Sequence, residues 1–315
     1  MKHDANLVVF DVQDNGIACL TLNRPDAMNA LNLPLINQFE QAFYKAQDDP
    51  DIKAIVIKGA GKFFVAGADI KFFIQKIQEK NYFDIIAFTR KASELFLTIE
   101  DSKKPTIAVL DGLSLGGGSE LALSCQAIVA TDKGSMAFPE TAIGIYPGLG
   151  GMVRLAGKIG PALAKYYVFT GKTISAADAL ELGIVDHLVS VDDLSETITQ
   201  LVLKGEQKEE KNVLLSDRFK YIDTFFSHVD FEDIVTGNMI NDVDVSFSDT
   251  IIKTMSRKAP IALKMANDII DLQIGKSKKD AIEIELARLE EIFSTQDALE
   301  GLTSAGKRRP NYIGK

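Results

Sequence analysis

The sequence predicts an α/β fold followed by a helical C-terminal subdomain, and three observations carry that reading. Short buried apolar runs alternate with helix-spaced segments up to about residue 190. Two stretches after strands break into small-residue loops that lead into helices. Beyond them the pattern turns to helices alone.

Residues 7–11 and 17–22 flank Asp14-Asn15-Gly16, turn chemistry that predicts a β-hairpin. Asn32 caps a helix with Pro34 in its first turn. Leu35, Ile36, Phe39, Ala42, Phe43 and Ala46 share one face, and Asp49-Pro50 closes it. Residues 54–58 form a buried strand leading into Gly59-Ala60-Gly61, and Ala66-Gly67-Ala68-Asp69 then opens another helix. Residues 84–100 place Ile85, Ile86, Thr89, Ala92, Leu95, Phe96 and Ile99 at helical spacing. A strand at 106–110, a glycine turn, a helix to Cys125 and a strand at 127–131 follow. Tyr146-Pro147-Gly148-Leu149-Gly150-Gly151 precedes a helix at 152–156. Residues 175–183 read as a helix with a serine start and a glycine stop, before a strand at 184–189. Residues 203–213 are a solvated charged run inside a partly helical excursion over 205–250 that carries no assignable motif. Helices are expected at 261–274, at 279–293 behind a Ser277-x-x-Asp280 capping box, and at 298–306.

At 315 residues, with 46% hydrophobic and 25% charged residues, the chain has the composition of a globular protein with a large core. No apolar run reaches the roughly 18 residues that a membrane span needs. Residues 1–6 lack the apolar region of a signal peptide, and Cys19 and Cys125 sit in apolar surroundings suited to buried thiols. A cytoplasmic protein is expected. A net charge of −9 disfavours nucleic acid as a partner. His3, His187 and His228 lie far apart with no ligand spacing, so neither a metal site nor a histidine triad is expected.

Two glutamates carry the chemistry. Glu120 ends Asp111-Gly-Leu-Ser-Leu-Gly-Gly-Gly-Ser-Glu120, and Glu140 sits in Ala137-Phe-Pro-Glu140-Thr-Ala-Ile-Gly144. Two carboxylates beside a glycine-lined pocket can divide acid and base roles. Gly116-Gly117-Gly118 reads either as a tight strand-to-helix turn or as a backbone anion cradle at a helix start. The loop at Ala68 reads either as a capped connection or as a second N–H donor opposite Gly117. Phe63-Phe64 and Phe72-Phe73 read as core.

Four stretches together closely resemble the crotonase, or enoyl-CoA hydratase/isomerase, superfamily. They are Leu22-Asn-Arg-Pro-Asp-Ala-Met-Asn-Ala-Leu31, Phe64-Val-Ala-Gly-Ala-Asp-Ile-Lys71, 111–122 and Phe138-Pro-Glu-Thr-Ala-Ile-Gly-Ile-Tyr-Pro-Gly-Leu-Gly-Gly151. Their order and spacing match, as does 170–183. The resemblance covers about 5–200 and resumes over 255–313. It looks most like the hydratase module found fused to 3-hydroxyacyl-CoA dehydrogenases. It implies a crotonase (ClpP-like) fold of repeated ββα units with a C-terminal helical oligomerisation subdomain. Residues 1–200 would be the core with the CoA site, 201–255 an insertion, and 256–315 the helical part.

The resemblance also implies site residues. The thioester oxygen would sit between the amides of Ala68 and Gly117. Glu120 would orient and activate water, and Glu140 would give a proton to C2. Ala66, Asp69, Ile70, Lys71 and Gly148 would contact CoA or substrate, and Lys307-Arg308-Arg309 is a further candidate for its phosphates. The implied reaction is hydration of a trans-2-enoyl-CoA in acyl-CoA metabolism, without a metal or redox cofactor. Double-bond isomerisation and a silent acyl-CoA-binding subunit are the rivals. Family thioester hydrolases carry an acid where this chain has Gly148. An RNA-binding branch uses a lysine-rich helix, where 84–100 has only Arg90 and Lys91. A homotrimer or pair of trimers, and a 3-hydroxyacyl-CoA dehydrogenase partner, are also implied.

Overall fold

A computed structural model describes residues 6–204, 214–237 and 245–315. The described parts of Met1–Asp69, Lys91–Met136 and Ile174–Val213 form one compact unit. Its main sheet has the order β1-β2-β3-β5-β7-β10. The hairpin of β1 (Val8–Val12) and β2 (Ile17–Leu22) is antiparallel, with Val8 opposite Leu22. Thereafter every pairing is parallel, through β3 (Ala54–Gly59), β5 (Thr106–Leu110), β7 (Ala127–Ala130) and β10 (His187–Leu188).

The strands are short and rich in Ile, Val and Ala because a parallel sheet is buried on both faces. Ile17, Cys19, Val56, Ile107, Val109, Ala127 and Val129 form one apolar layer under α8 (Leu194–Lys204). Helix α1 (Leu33–Asp48) packs on β1, β2 and β3 and buries Leu35, Ile36, Phe39, Phe43 and Ala46. Asn32 caps it as expected, its side chain accepting the Leu35 N–H at 3.0 Å.

The four-stranded second sheet supplies the second strand of the ββα units that the family resemblance implies, although periodicity marked none of its strands. Its order is β4 (Phe63–Ala66), β6 (Leu113–Leu115), β8 (Ser135–Ala137) and β9 (Ile174–Ser175). Strands of two to four residues give too little alternation to show a period. Strands β4, β6 and β8 each follow a strand of the main sheet, and β3-β4 and β5-β6 each lead into a helix, α2 (Ile70–Gln78) and α4 (Gly117–Ser124). This is the repeated ββα pattern.

The described parts of Ile70–Arg90, Ala137–Thr173 and Leu214–Lys315 form the other unit. It holds α2, the start of α3 (Tyr82–Glu100), a 3-10 turn at Glu140–Ile143, α5 (Gly151–Ile159) and α6 (Pro161–Thr170). The C-terminal helices α9 (Asp217–His228), α10 (Phe231–Thr236), α11 (Val245–Met255), α12 (Pro260–Gln273), α13 (Lys278–Ala287), α14 (Leu289–Phe293) and α15 (Gln296–Ser304) complete it. Phe73 stacks on Phe88 and Phe293, as a core role for it predicts. Helix α9 packs on α6 through Phe226 against Tyr166 and Phe169, and Phe231 reaches Phe169. Much of the 205–250 excursion is therefore helical, with Phe225, Phe226 and Phe231 in an aromatic core. The charged residues 205–213, like 238–244, lie outside the described residues.

Three boundaries differ from expectation, each for a local reason. Helix α3 starts at Tyr82 because Asn81 accepts the Asp84 N–H at 3.3 Å. The run 279–293 breaks at Arg288 (φ −105°) into α13 and α14. Ile184 and Val185 are not paired in the sheet, because both donate to the Ala179 carbonyl, closing the end of α7 (Ala176–Glu181). Cys19 and Cys125 are buried free thiols. Among the described residues no helix is long and apolar enough to cross a membrane.

Candidate active site

In the first unit the small-residue loops after β4 and β6 are brought side by side. Ala66 of β4 pairs with Leu115 of β6 in parallel register. Ala68 and Gly117 each lie two residues beyond that pair, so they stand at the same end of neighbouring strands. Ala68 forms an isolated bridge to Leu31, in which Leu31 N–H donates to Gly67 (2.9 Å) and Asp69 N–H donates to Leu31 (2.8 Å). In an extended chain successive N–H groups alternate sides, so the Ala68 N–H points away from Leu31.

Gly117 is the first residue of α4, and the first main-chain bond into the helix is Glu120 N–H to Gly116 at 2.9 Å. The amides of Gly117, Gly118 and Ser119 therefore have no acceptor within the helix, and the helix dipole makes this end attractive to negative charge. Glu120 sits in that first turn at 2% exposure, in a helix buried along its whole length. Ala68, Gly117 and the first turn of α4, which carries buried Glu120, thus lie at one strand end.

The loop that supports Ala68 is held by residues sequence reasoning passed over. Asn29, fully buried with φ 57°, donates its amide to the carbonyls of Ala60, Phe63 and Phe64 and accepts the Arg24 N–H. Arg24 in turn pairs with Asp69 at 3.3 Å. The carboxylate of Asp69 is thereby turned toward Arg24. Asn in the left-handed region was the available signal for this loop, within Met28-Asn29-Ala30.

Glu140 belongs to the other unit, at the first position of the 3-10 turn and 7% exposed. Thr141 donates its hydroxyl to the Val168 carbonyl at 3.1 Å, and its own carbonyl accepts the Ala259 N–H at 3.0 Å. Farther on, Gly148 is half-buried in a loop pinned to α13. Tyr146 donates its hydroxyl to the Glu285 carbonyl (2.6 Å), and the Glu285 carboxylate accepts the Gly150 N–H (2.8 Å) and the Gln273 amide (2.8 Å). Burial, with the nearby Glu285 carboxylate adding to it, pushes the Tyr146 hydroxyl well above its usual range, so it stays a donor. Glu285 is fully buried. Nothing in its sequence neighbourhood marked it, because it falls on the apolar face of a helix.

Ile70 and Lys71 open α2, which packs on α15, and Lys71 is exposed. Of the C-terminal cations, Arg308 is engaged by Glu300 in a two-pronged pair (2.5 and 2.7 Å). On α3, Arg90 pairs with Glu283 and Lys91 with Glu40.

A family model described as "Enoyl-CoA hydratase/isomerase" matches residues 17–312. The chain is 41% identical over 182 residues to a probable enoyl-CoA hydratase of Mycobacterium bovis, covering 58% of this chain and 68% of that protein. It is 34% identical over 202 residues to a short-chain-enoyl-CoA hydratase of Clostridium acetobutylicum, covering 64% of this chain and 76% of that one. The crystal structure of an enoyl-CoA hydratase from Rhodobacter sphaeroides superposes with a TM-score of 0.84 at 24% identity, covering 98% of this chain and 93% of that one.

Proposed function

The chain belongs to the enoyl-CoA hydratase/isomerase family, and from that premise we propose that it adds water across the 2,3 double bond of a trans-2-enoyl-CoA to give the 3-hydroxyacyl-CoA. The observation that supports this reading is the pairing of β4 with β6, which brings the loops at Ala68 and Gly117 to the same end of neighbouring strands, with Glu120 buried in the first turn of α4.

The thioester carbonyl oxygen is held between those two amides. As water attacks C3, negative charge moves through C2 onto that oxygen, and the amides stabilise the enolate; losing one such donor costs on the order of 3 kcal/mol. Glu120 orients the water and takes its proton as the O–C3 bond forms. Glu140 supplies the proton that forms the C2–H bond. One carboxyl gains a proton and the other loses one, so the net change is addition of water, and proton exchange with solvent restores the pair. This division of labour needs neither a metal nor a redox cofactor.

Ala66, Asp69, Ile70, Lys71 and Gly148 are assigned to CoA and substrate contact, with Lys71 bringing positive charge. Because Asp69 turns its side chain to Arg24, its share comes from the backbone. A cytoplasmic setting accords with two reduced, buried cysteines. Assembly as a homotrimer or pair of trimers accords with Leu272 and Ile274, more than half exposed at the end of α12. A 3-hydroxyacyl-CoA dehydrogenase is the enzyme that would take the product.

The test is steady-state turnover of a crotonyl-CoA series of growing chain length, with 3-enoyl-CoA alongside. Hydration of the 2-enoyl thioesters supports the proposal. Product from 3-enoyl-CoA alone would make the chain an isomerase. A monomer by light scattering would sink the assembly.

A further inference from the structure

We propose that the last residues of the chain, 311–315, are a strap that positions the Glu140 turn, acting through the Tyr312 hydroxyl. This deepens the reading of Glu140 as proton donor and rests on it.

The turn is a single four-residue 3-10 element. Ala142 N–H donates to Pro139, and the N–H groups of Gly144 and Ile145 both donate to the Glu140 carbonyl. Two of its carbonyls are held from outside. Thr141 is tied by Ala259, and Ala142 accepts the Tyr312 hydroxyl at 2.7 Å. Burial, with the Asp297 and Glu300 carboxylates adding to it, pushes the Tyr312 hydroxyl well above its usual range, so it stays a donor across neutral pH.

The strap is itself fixed at four points by α15. Asp297, 1% exposed, accepts the N–H groups of Ile313 (2.8 Å) and Gly314 (3.0 Å). Glu300 accepts the Asn311 N–H at 2.7 Å, and the Lys315 carbonyl accepts the Gln296 N–H at 2.7 Å. Helix α15 also meets the turn directly, at two glycines. A Cβ on Gly144 (φ +85°) would lie 2.3 Å from the Asp297 carbonyl oxygen, and one on Gly301 would lie 2.3 Å from the Ile143 carbonyl. The same Cβ on Gly301 would stand 2.7 Å from the Tyr312 hydroxyl. Turn, helix and strap therefore form one close-packed cluster, and moving the strap moves Glu140. A misplacement of about 1 Å at a reacting group can lower a rate by about 100-fold.

Tyr312→Phe keeps the ring and removes the donor, and a chain ending at Pro310 removes the strap. Amide hydrogen exchange of the apo protein, read on peptides spanning 138–146 and on peptides from β3 and β5, is paired with hydration kinetics. The expected result is faster exchange confined to 138–146 in both variants. With it, kcat falls about tenfold or more in Tyr312→Phe while KM stays within about twofold. Unchanged exchange at 138–146, a uniform rise across the chain, or faster exchange with wild-type kcat would overturn the proposal. Absence of hydration by the wild type would instead defeat the reaction assignment, and the exchange data would still decide whether the strap holds the turn.

Discussion

Gly118 of α4 meets Val65 of β4 so closely that a Cβ on Gly118 would lie 2.1 Å from the Val65 carbonyl oxygen and 2.7 Å from the Val65 Cβ. That contact fixes the start of α4 against the strand that leads to Ala68, and so fixes the spacing of the two amides. Gly118→Ala has to push the helix start away from β4. Overpacking of this kind costs about 1–3 kcal/mol. A lower urea midpoint should appear together with a drop of at least about tenfold in kcat/KM, following the roughly 3 kcal/mol that one oxyanion donor contributes. Lost stability with wild-type kinetics would show that this contact does not set the amide spacing.

Glu285 should behave as a structural anchor for the loop over 146–150. Glu285→Ala leaves the Gly150 N–H and one Gln273 donor without their buried acceptor. The expected loss is about 3 kcal/mol, on the basis of 1–3 kcal/mol for each stranded group. Glu285→Gln, which keeps one acceptor oxygen, should lose less. Denaturant unfolding of the two variants checks the order.

Gly148 has room that Gly118 lacks. A Cβ there would meet Leu289 at 3.4 Å, Thr89 at 3.8 Å and Tyr146 at 3.9 Å, all ordinary contacts. Gly148→Ala should therefore unfold within about 1 kcal/mol of wild type. Since Gly148 is assigned to substrate contact, KM should rise with kcat little changed, the pattern of lost uniform binding. A large stability loss would mean the loop is packed more tightly than these distances allow.

Acid should loosen the C-terminal strap through Glu300. Its carboxyl is held down to about 2, first by the Arg308 guanidinium and then by the Asn311 N–H. A carboxyl lowered on folding contributes stability above its unfolded value near 4.5, and that contribution is lost as pH falls toward 2. The Arg308 side chain is exposed and that of Glu300 partly so, which makes the effect small and salt-sensitive. The difference in thermal midpoint between wild type and Glu300→Gln should be largest above pH 5 and vanish near pH 2. A difference that grows with acid would contradict this sign.

Much of this was legible in the chain before any coordinates. The hairpin, the capped α1, the buried strands β3, β5 and β7 and the C-terminal helices follow from period, caps and glycine stops, because there local preference and burial agree. The loops at Ala68 and Gly117 were legible as open-backbone turns, but their alignment depends on the pairing of β4 with β6. Those strands are too short to show a pattern. Asn29, Glu285, Asp297 and Tyr312 were missed for a shared reason. Each holds a loop through hydrogen bonds to a distant backbone segment, and such partners leave no mark in local sequence.

The central claim is that Glu120 and Glu140 share the proton traffic of hydration, and it is tested most directly by crotonyl-CoA hydration in Glu120→Gln and Glu140→Gln. Both substitutions keep the size and one acceptor oxygen and remove the ionisable group. Positioned acid-base groups contribute about 10²–10⁴-fold, so each variant should lose at least about 100-fold in kcat while remaining folded. A wild-type rate in either variant would contradict the assignment of that carboxylate.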